Sequence, residues 1–496
     1  MKKHIILTLV IIGFVGCEPL DEVPFSSLSV ENLYKNEGDV DAAIFGAYSS
    51  LNAGINDLWY FLATSGPGES VTSRFNGGHQ LFLAGLNFNP GLAHGVWWTA
   101  FYQGINRANS VIANVGKAGL SSELEEQKIA EARFIRAFNY FNLVKWFGGV
   151  PLHLEATTDF SDESVKKPRA SIEEVYAVIV EDLKYAESRL PAEWDAANRG
   201  RATSGAAKSF LGKVYLHMAG KPLEQEDKYQ LAADKLMEVV ASGTYELQEN
   251  FADIFDISNE FNSEIIFARL NIREDGAGTV LTFFAGVPNS PFANRNGQYQ
   301  FGFSMDFYNS FAETDSRRDV TLLYSYTDAS GRPVTYNDPE NPPLPFGGYQ
   351  APNGIGLGKY KDPLNDISAF AHDNDIVFMR YADVLLMLAE SLNETGQSSE
   401  ALIYLNMVRE RAGLEDITIT NQDELLEIIK QERKWELAGE FQEYPDLQRW
   451  GDIEESVPGN PASQRIGISY SPFMELLPIP QNQLDANENL VQNPGY

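Results

Sequence analysis

The chain has 496 residues, 44% hydrophobic and 22% charged, an ordinary globular balance that argues against wholesale disorder. Its 69 acidic residues outnumber 38 basic ones, and the formal charge of −31 sets up a field that repels phosphate backbones and disfavours nucleic acid as a partner. A single cysteine, Cys17, excludes an internal disulfide and a thiolate zinc site.

The chain opens with Lys2 and Lys3, an apolar run over residues 5–15 that is short for a membrane span, then Gly16 and Cys17. This resembles a lipoprotein signal peptide, with residues 1–16 removed and Cys17 acylated as the first mature residue. Phe14 stands where such signals usually carry Leu. Beyond Cys17 no apolar stretch approaches the roughly 18 residues of a membrane-spanning helix. Residues 18–30 are polar and Pro-punctuated and read as an extended arm, so 17–30 forms a lipidated tether and 31–496 one domain.

From about Glu31 the pattern becomes helical. An irregular stretch over 52–95 precedes an amphipathic helix over 96–115. There Trp98, Phe101, Tyr102, Ile105, Asn109 and Ile112 form one stripe, read as core, while Trp97 lies off it. A second helix spans 121–147, capped by Ser121 and stopped by Gly148 and Gly149. A third spans 171–190, opened by a Ser171/Glu174 capping box and ended by Pro191. Helices over 203–218 and 229–242 make a pair, as do 381–394 and 398–412, and 423–438 is the last long helix.

Leu388, Ala389, Leu392, Gly396, Ala401, Leu405 and Val408 fall at tetratricopeptide-like spacings, with a looser copy in Ala207, Leu211, Gly212, Tyr215 and Ala233. The two pairs are far apart in sequence, which predicts a packed helical bundle interrupted by insertions. The largest insertion, 248–375, is rich in Gly, Pro, Asn, Phe and Tyr and carries β-like runs at 264–270 and 320–326. Long irregular insertions on a helical scaffold are where binding residues concentrate.

Four segments carry a family resemblance: KIAEARFIRAFNYFNLVKWFGGVPL (128–152); IVFMRYADVLLMLAE (376–390) with NMVRERAGL (406–414); QERKWELAGEFQEYPDLQRWGD (431–452); and LLPIPQNQLDANENLVQNPGY (476–496). In this order behind a lipoprotein signal they resemble the SusD/RagB family of outer-membrane nutrient-binding lipoproteins. Gln442, Glu443, Tyr444 and Pro445 depart from the more basic run common there. The resemblance implies a mostly α fold of four tetratricopeptide-like helix pairs with long irregular insertions. It also implies outward display on the outer membrane of a Bacteroidota-type cell. The implied partner is a SusC-like TonB-dependent transporter, and the implied ligand is usually an oligosaccharide, sometimes a peptide.

Catalytic and metal patterns are weak. The six histidines are scattered without HExxH, no GxSxG elbow occurs, and His217 on its helix reads as structural. GIGLGK (354–359) lacks the spacing and the Ser/Thr of a phosphate loop and reads as flexible. Carboxylates at 372–375 lack the glycine of an EF-hand loop. No metal, cofactor or catalytic residue is therefore assigned.

Sugar binding needs aromatic faces for C–H patches and amide, carboxylate or guanidinium groups for hydroxyls. Two loop regions hold both. Residues 57–82 contain Trp59, Arg74, Phe75, Asn76 and His79. Residues 282–301 contain Phe292, Asn294, Arg295 and Tyr299. These nine are the predicted glycan contacts. Arg74, His79 and Arg295 would suit an anionic sugar. Two further readings stand beside glycan capture: a peptide-binding uptake protein that uses its helix grooves, and a glycoside hydrolase, whose carboxylate pair sequence alone cannot locate.

Overall fold

The computed structural model describes residues 33–51, 71–73, 84–91, 95–159, 161–271, 278–287, 289–290, 299–328, 330–340, 342–343, 354–362 and 372–496. Ten longer helices frame it. They are α1 (Glu37–Tyr48), α2 (Gly95–Asn114), α3 (Ser122–Phe147), α4 (Ile172–Glu187) and α5 (Ser204–Ala219). The others are α6 (Asp227–Ala241), α7 (Tyr381–Glu394), α8 (Ser398–Arg411), α9 (Gln422–Glu436) and α10 (Glu443–Trp450). Short strands complete it: β1 (Val71–Ser73), β2 (Ile265–Arg269), β3 (Phe301–Phe303), β4 (Leu322–Leu323), β5 (Ser325–Thr327), β6 (Pro333–Thr335), β7 (Gly356–Leu357) and β8 (Ile376–Arg380). No helix of the described residues is long and apolar enough to cross a membrane.

Local chemistry sets the helix starts. The Ser121 side chain accepts from Leu124 N, Thr203 from Ala206 N and Asn421 from Glu424 N, while Ser171 and Glu174 close a reciprocal capping box. Along the chain, α2 packs on α3, α3 on α4, α4 on α5 and α5 on α6. Then α6 packs on α7, so the run over 242–380 leaves and returns without interrupting the stack. At Gly212 the α5–α6 approach is so close that a Cβ would lie 2.6 Å from Leu236 Cγ. In α7 and α8 the repeat positions Leu388, Ala389, Leu392, Ala401, Leu405 and Val408 are all buried.

Three expectations change. Trp97 does not face away from the core: it is fully buried, 5.7 Å from Trp146, because α3 covers a wider arc of α2 than one stripe. The run 320–326 is not one strand. Residues 318–321 form a helical turn, 322–323 pair with β7, and 325–327 turn to pair with β6. GIGLGK is no flexible loop. Its strand β7 is buried against β4, and Lys359 is buried with its ammonium 2.6 Å from Glu440.

That lysine belongs to a buried ionic cluster. Arg380, at the end of β8, reaches Glu440 at 2.7 Å, Glu264 at 2.8 Å and Glu436 at 2.5 Å. Arg317 reaches Asp315 at 2.7 Å, Glu432 at 2.6 Å and Glu436 at 2.9 Å. Arg409 pairs with Glu432 at 2.7 Å, and Arg411 pairs with Glu264 and Glu436. Five cations thus face five carboxylates. Next to it, Lys213, Arg433 and Arg449 face Asp383, Glu390 and Asp446, linked by Lys213–Asp383 at 2.9 Å, Arg433–Asp446 at 2.8 Å and Arg449–Asp446 at 2.9 Å.

Burial alone would raise the Glu436 pKa, but the fields of Arg411, Arg380 and Arg317 outweigh it and hold the carboxyl well below its ordinary value. Asp383 is likewise buried, and Lys213 and Arg433 draw it down to about 2. Glu436→Gln leaves three guanidiniums short of one carboxylate. We expect it to lower unfolding free energy by about 3–5 kcal/mol in urea titration. Both carboxylates are depressed on folding. The stability they add is complete above their ordinary values of 4.5 and 3.8 and is lost as pH falls through the folded ones. The thermal midpoint should therefore fall steeply below about pH 4.

Candidate ligand-binding face

The two loop regions singled out in the sequence are joined by β1 and β3. These strands pair antiparallel, with Val71 opposite Phe303, Thr72 opposite Gly302 and Ser73 opposite Phe301. Phe303 also bridges Ile355, whose chain runs on into β7 and so to β4. Segments 52–70 and 74–83 therefore enter and leave β1. Segment 291–298 leads through Tyr299 and Gln300 into β3, and segment 344–353 leads into Gly354 and Ile355.

The crossing of β3 by the 354–355 chain requires glycine on both sides. A Cβ on Gly302 would stand 2.6 Å from the Gly354 carbonyl carbon, and one on Gly354 would stand 2.6 Å from that of Gly302. No side chain fits there without separating the backbones.

Several contacts hold this patch to the scaffold. Two residues after β7, Lys359 enters the ionic cluster, and the neighbouring Tyr360 hydroxyl donates to Gly439 O at 3.2 Å. Gly358 N donates to Thr321 O at 2.8 Å. On the other side a short helix, Pro461–Ile466, packs on β1. At its start the Asn460 amide donates to Ala84 O at 3.0 Å and Ser463 Oγ to Gly85 O at 3.1 Å, fixing the chain where segment 74–83 ends.

Of the predicted contacts, Trp59, Arg74, Phe75, Asn76, His79, Phe292, Asn294 and Arg295 lie outside the described residues, as does Cys17. Chain connectivity still constrains two of them. Arg74 directly follows the paired Ser73, and Arg295 precedes Tyr299 by four residues. Tyr299 is described, and its role is structural. The ring is 3% exposed among Val287, Leu323 and Tyr326, and its hydroxyl donates to Gly354 O. Burial pushes the phenol well above its ordinary pKa, so it stays a donor. The side chain ties the end of segment 291–298 to the chain crossing β3 and presents no face to solvent.

Other candidates resolve similarly. His217 is buried edge-on to Phe141, and burial, followed by Arg449 and Lys145, holds its pKa well below the ordinary value. At 372–375, His372 Nδ1 lies 3.3 Å from Asp362, and Asp375 accepts from Asn271 N at 2.8 Å. No group of three or more metal-ligating side chains occurs among the described residues.

Residues 273–496 match the SusD family, and residues 90–216 match the family of starch-binding proteins associating with the outer membrane. A SusD-like protein from Formosa agariphila (P2) is 31% identical over the full length of both chains. The solved structure of a laminarin-binding SusD-like protein is 28% identical, covers 93% of this chain and all of its own, and superposes with a TM-score of 0.78. A SusD superfamily protein from Parabacteroides distasonis is 25% identical over 92% of this chain and 99% of its own, also with a TM-score of 0.78. With its mainly helical stack and these matches along its whole length, the chain belongs to the SusD family.

Proposed function

We propose that this protein is a surface glycan-binding lipoprotein. It captures oligosaccharides on the face built over β1 and β3 and passes them to a SusC-like TonB-dependent transporter in the outer membrane. The carrying observation is the pairing of β1 with β3. It joins two segments, 230 residues apart in sequence, that between them hold Trp59, Arg74, Asn76, His79, Phe292, Asn294 and Arg295. Aromatic faces stack on the C–H patches of a pyranose, and amide and guanidinium groups exchange water for its hydroxyls. The laminarin-binding relative supports the ligand class. In this reading residues 1–16 are the signal peptide, Cys17 carries lipid, 17–30 is the tether and 31–496 binds. Binding uses no metal or cofactor and makes no covalent change in the ligand.

The direct test runs the mature chain from Glu18 through affinity gels containing laminarin, other polysaccharides or a protein hydrolysate. Retardation by a polysaccharide, with no new reducing ends, is expected. Retention by the hydrolysate alone would replace the reading with peptide uptake, and released reducing ends would replace it with hydrolysis. Trp59→Ala and Phe292→Ala should each weaken binding by about 1–3 kcal/mol.

A backbone variant tests the link between face and ligand. Gly302→Val forces β3 from the 354–355 chain, so glycan retention should fall while the far-ultraviolet helical signal is kept. Unchanged retention would remove the β1–β3 face from the mechanism. Co-purification of the membrane-anchored protein with a TonB-dependent transporter, lost in Cys17→Ala after osmotic release, checks the partner and the anchor together.

A further inference from the structure

A second cleft, of about 520 Å³, opens between α2, residues 151–166 and residues 483–490, and every residue lining it is described. It shares no residue with β1, β3 or the chain crossing them. Its volume falls within the roughly 300–1,000 Å³ of small-ligand sites.

The floor is the half-buried ring of Tyr102, with Trp98, one turn earlier on α2 and only 4% exposed, packed beneath it at a ring-centroid distance of 5.1 Å. Phe147 backs Trp98 edge-on at 5.0 Å, and Tyr140 backs Tyr102 at 6.4 Å. The half-buried Val165 and Leu490 extend the apolar surface.

Both walls are held by hydrogen bonds made behind them. On one side the Tyr102 hydroxyl donates to Pro151 O at 2.8 Å, Asn109 to His153 O at 2.8 Å and Arg136 to Leu154 O at 3.2 Å. On the other, Asn487 donates to Lys167 O at 2.9 Å and Asn489 to Lys166 O at 2.7 Å, while Arg169 donates to Val491 O at 2.8 Å. A cleft fixed in this way loses little entropy when it binds.

The rim is polar, and its one charged lining side chain, Lys166, is paired. Gln103 and Gln483 make no side-chain hydrogen bond within the described residues. Asn106 uses its carbonyl for Thr157 N at 3.0 Å and keeps its amide N–H groups. The half-buried His153 ring lies edge-on to Tyr102 at 5.8 Å. Burial, then Lys167, lowers its pKa, so at neutral pH it offers one donor and one acceptor. The one ammonium at the rim, Lys166, is bound to Asp162 at 2.8 Å. An ionic ligand therefore finds no free counter-charge here. A ligand with an apolar face and a ring of hydroxyls finds both halves of its match.

We infer that this cleft is a second saccharide site, which takes a short neutral oligosaccharide against Tyr102 and Leu490 with Gln103, Asn106 and Gln483 on its hydroxyls. The inference rests on the glycan-binding reading but not on the loop face. A protein with both sites would hold one polymer at two points, raising retention through effective concentration.

The test is isothermal titration of the mature chain with laminariheptaose, maltoheptaose, cellohexaose and tetra-alanine in turn. The proteins are the parent, a loop variant (Trp59→Ala with Arg295→Ala), a cleft variant (Gln103→Ala with Gln483→Ala) and the four-fold combination. The cleft glutamines make no side-chain hydrogen bond among the described residues, so the cleft variant should melt with the parent. Gln103→Trp, which fills the cleft, gives an independent block.

We expect the loop variant to keep residual binding of one glycan, and the combination or the Gln103→Trp block to weaken that remainder about tenfold or more. If the loop variant loses all binding while the cleft variant binds as the parent does, the cleft is not a site and the loop reading stands. Residual binding indifferent to both cleft changes also overturns it. Cleft-dependent binding of tetra-alanine alone overturns the ligand class. Binding of no glycan by the parent overturns both readings.

Discussion

Ten charged groups that cannot be separated hold this protein together. Arg317, Lys359, Arg380, Arg409 and Arg411 are buried against Glu264, Asp315, Glu432, Glu436 and Glu440. A lone charge at such depth costs several kcal/mol, and the cost is offset only when every partner is in place. The members come from the residue before β2, the 315–317 turn, the chain just after β7, the end of β8, α8, α9 and the turn that follows α9. These segments must therefore arrive together. A hydrophobic core of the same volume tolerates sliding, whereas a charge-balanced one fixes register.

This fixity extends outward to the face proposed to bind the ligand. Lys359 anchors the end of β7, and the chain before β7 crosses β3 at the Gly302–Gly354 contact. From there β3 pairs with β1. Tyr299 adds a side-chain tie at the same crossing. Four steps thus connect the interior charges to the strands from which the aromatic and guanidinium-bearing segments depart. Long loops on a scaffold of this kind can vary in sequence without disturbing the helices, because the ion pairs and glycines that fix the chain at their ends belong to the scaffold.

The helices were legible because their signals are local. Ser121 and Ser171 cap the helices they were expected to cap, and the bounds of 121–147 and 381–394 agree closely with α3 and α7. The β1–β3 pairing was not legible. Its strands are three residues long and far apart, so no periodicity marks them. The ionic cluster was half legible. Glu432, Glu436 and Glu440 recur every fourth residue, the first two on one face of α9, a clue to a common environment, yet a charge run usually reads as a solvated surface. Much of the family's third signature, 431–452, is this cluster and its neighbour, so those residues hold the fold and not the ligand. Tyr299 misled for a related reason. An aromatic with a polar tip in a polar loop suits a wet surface and a buried tie equally, and only the Gly354 carbonyl decides between them.

Charge bears on which ligands the faces favour. Both buried clusters are neutral within themselves, so the entire excess of −31 lies outside them. A neutral glycan is indifferent to that field, since stacking and hydroxyl bonding involve no net charge. A polyanionic one must be drawn against it. The cleft on α2 carries no unpaired charge at its rim, so its preference follows from the same logic. Under the proposed glycan-binding reading, a neutral polymer is the ligand for which the exterior field and the cleft chemistry make compatible demands.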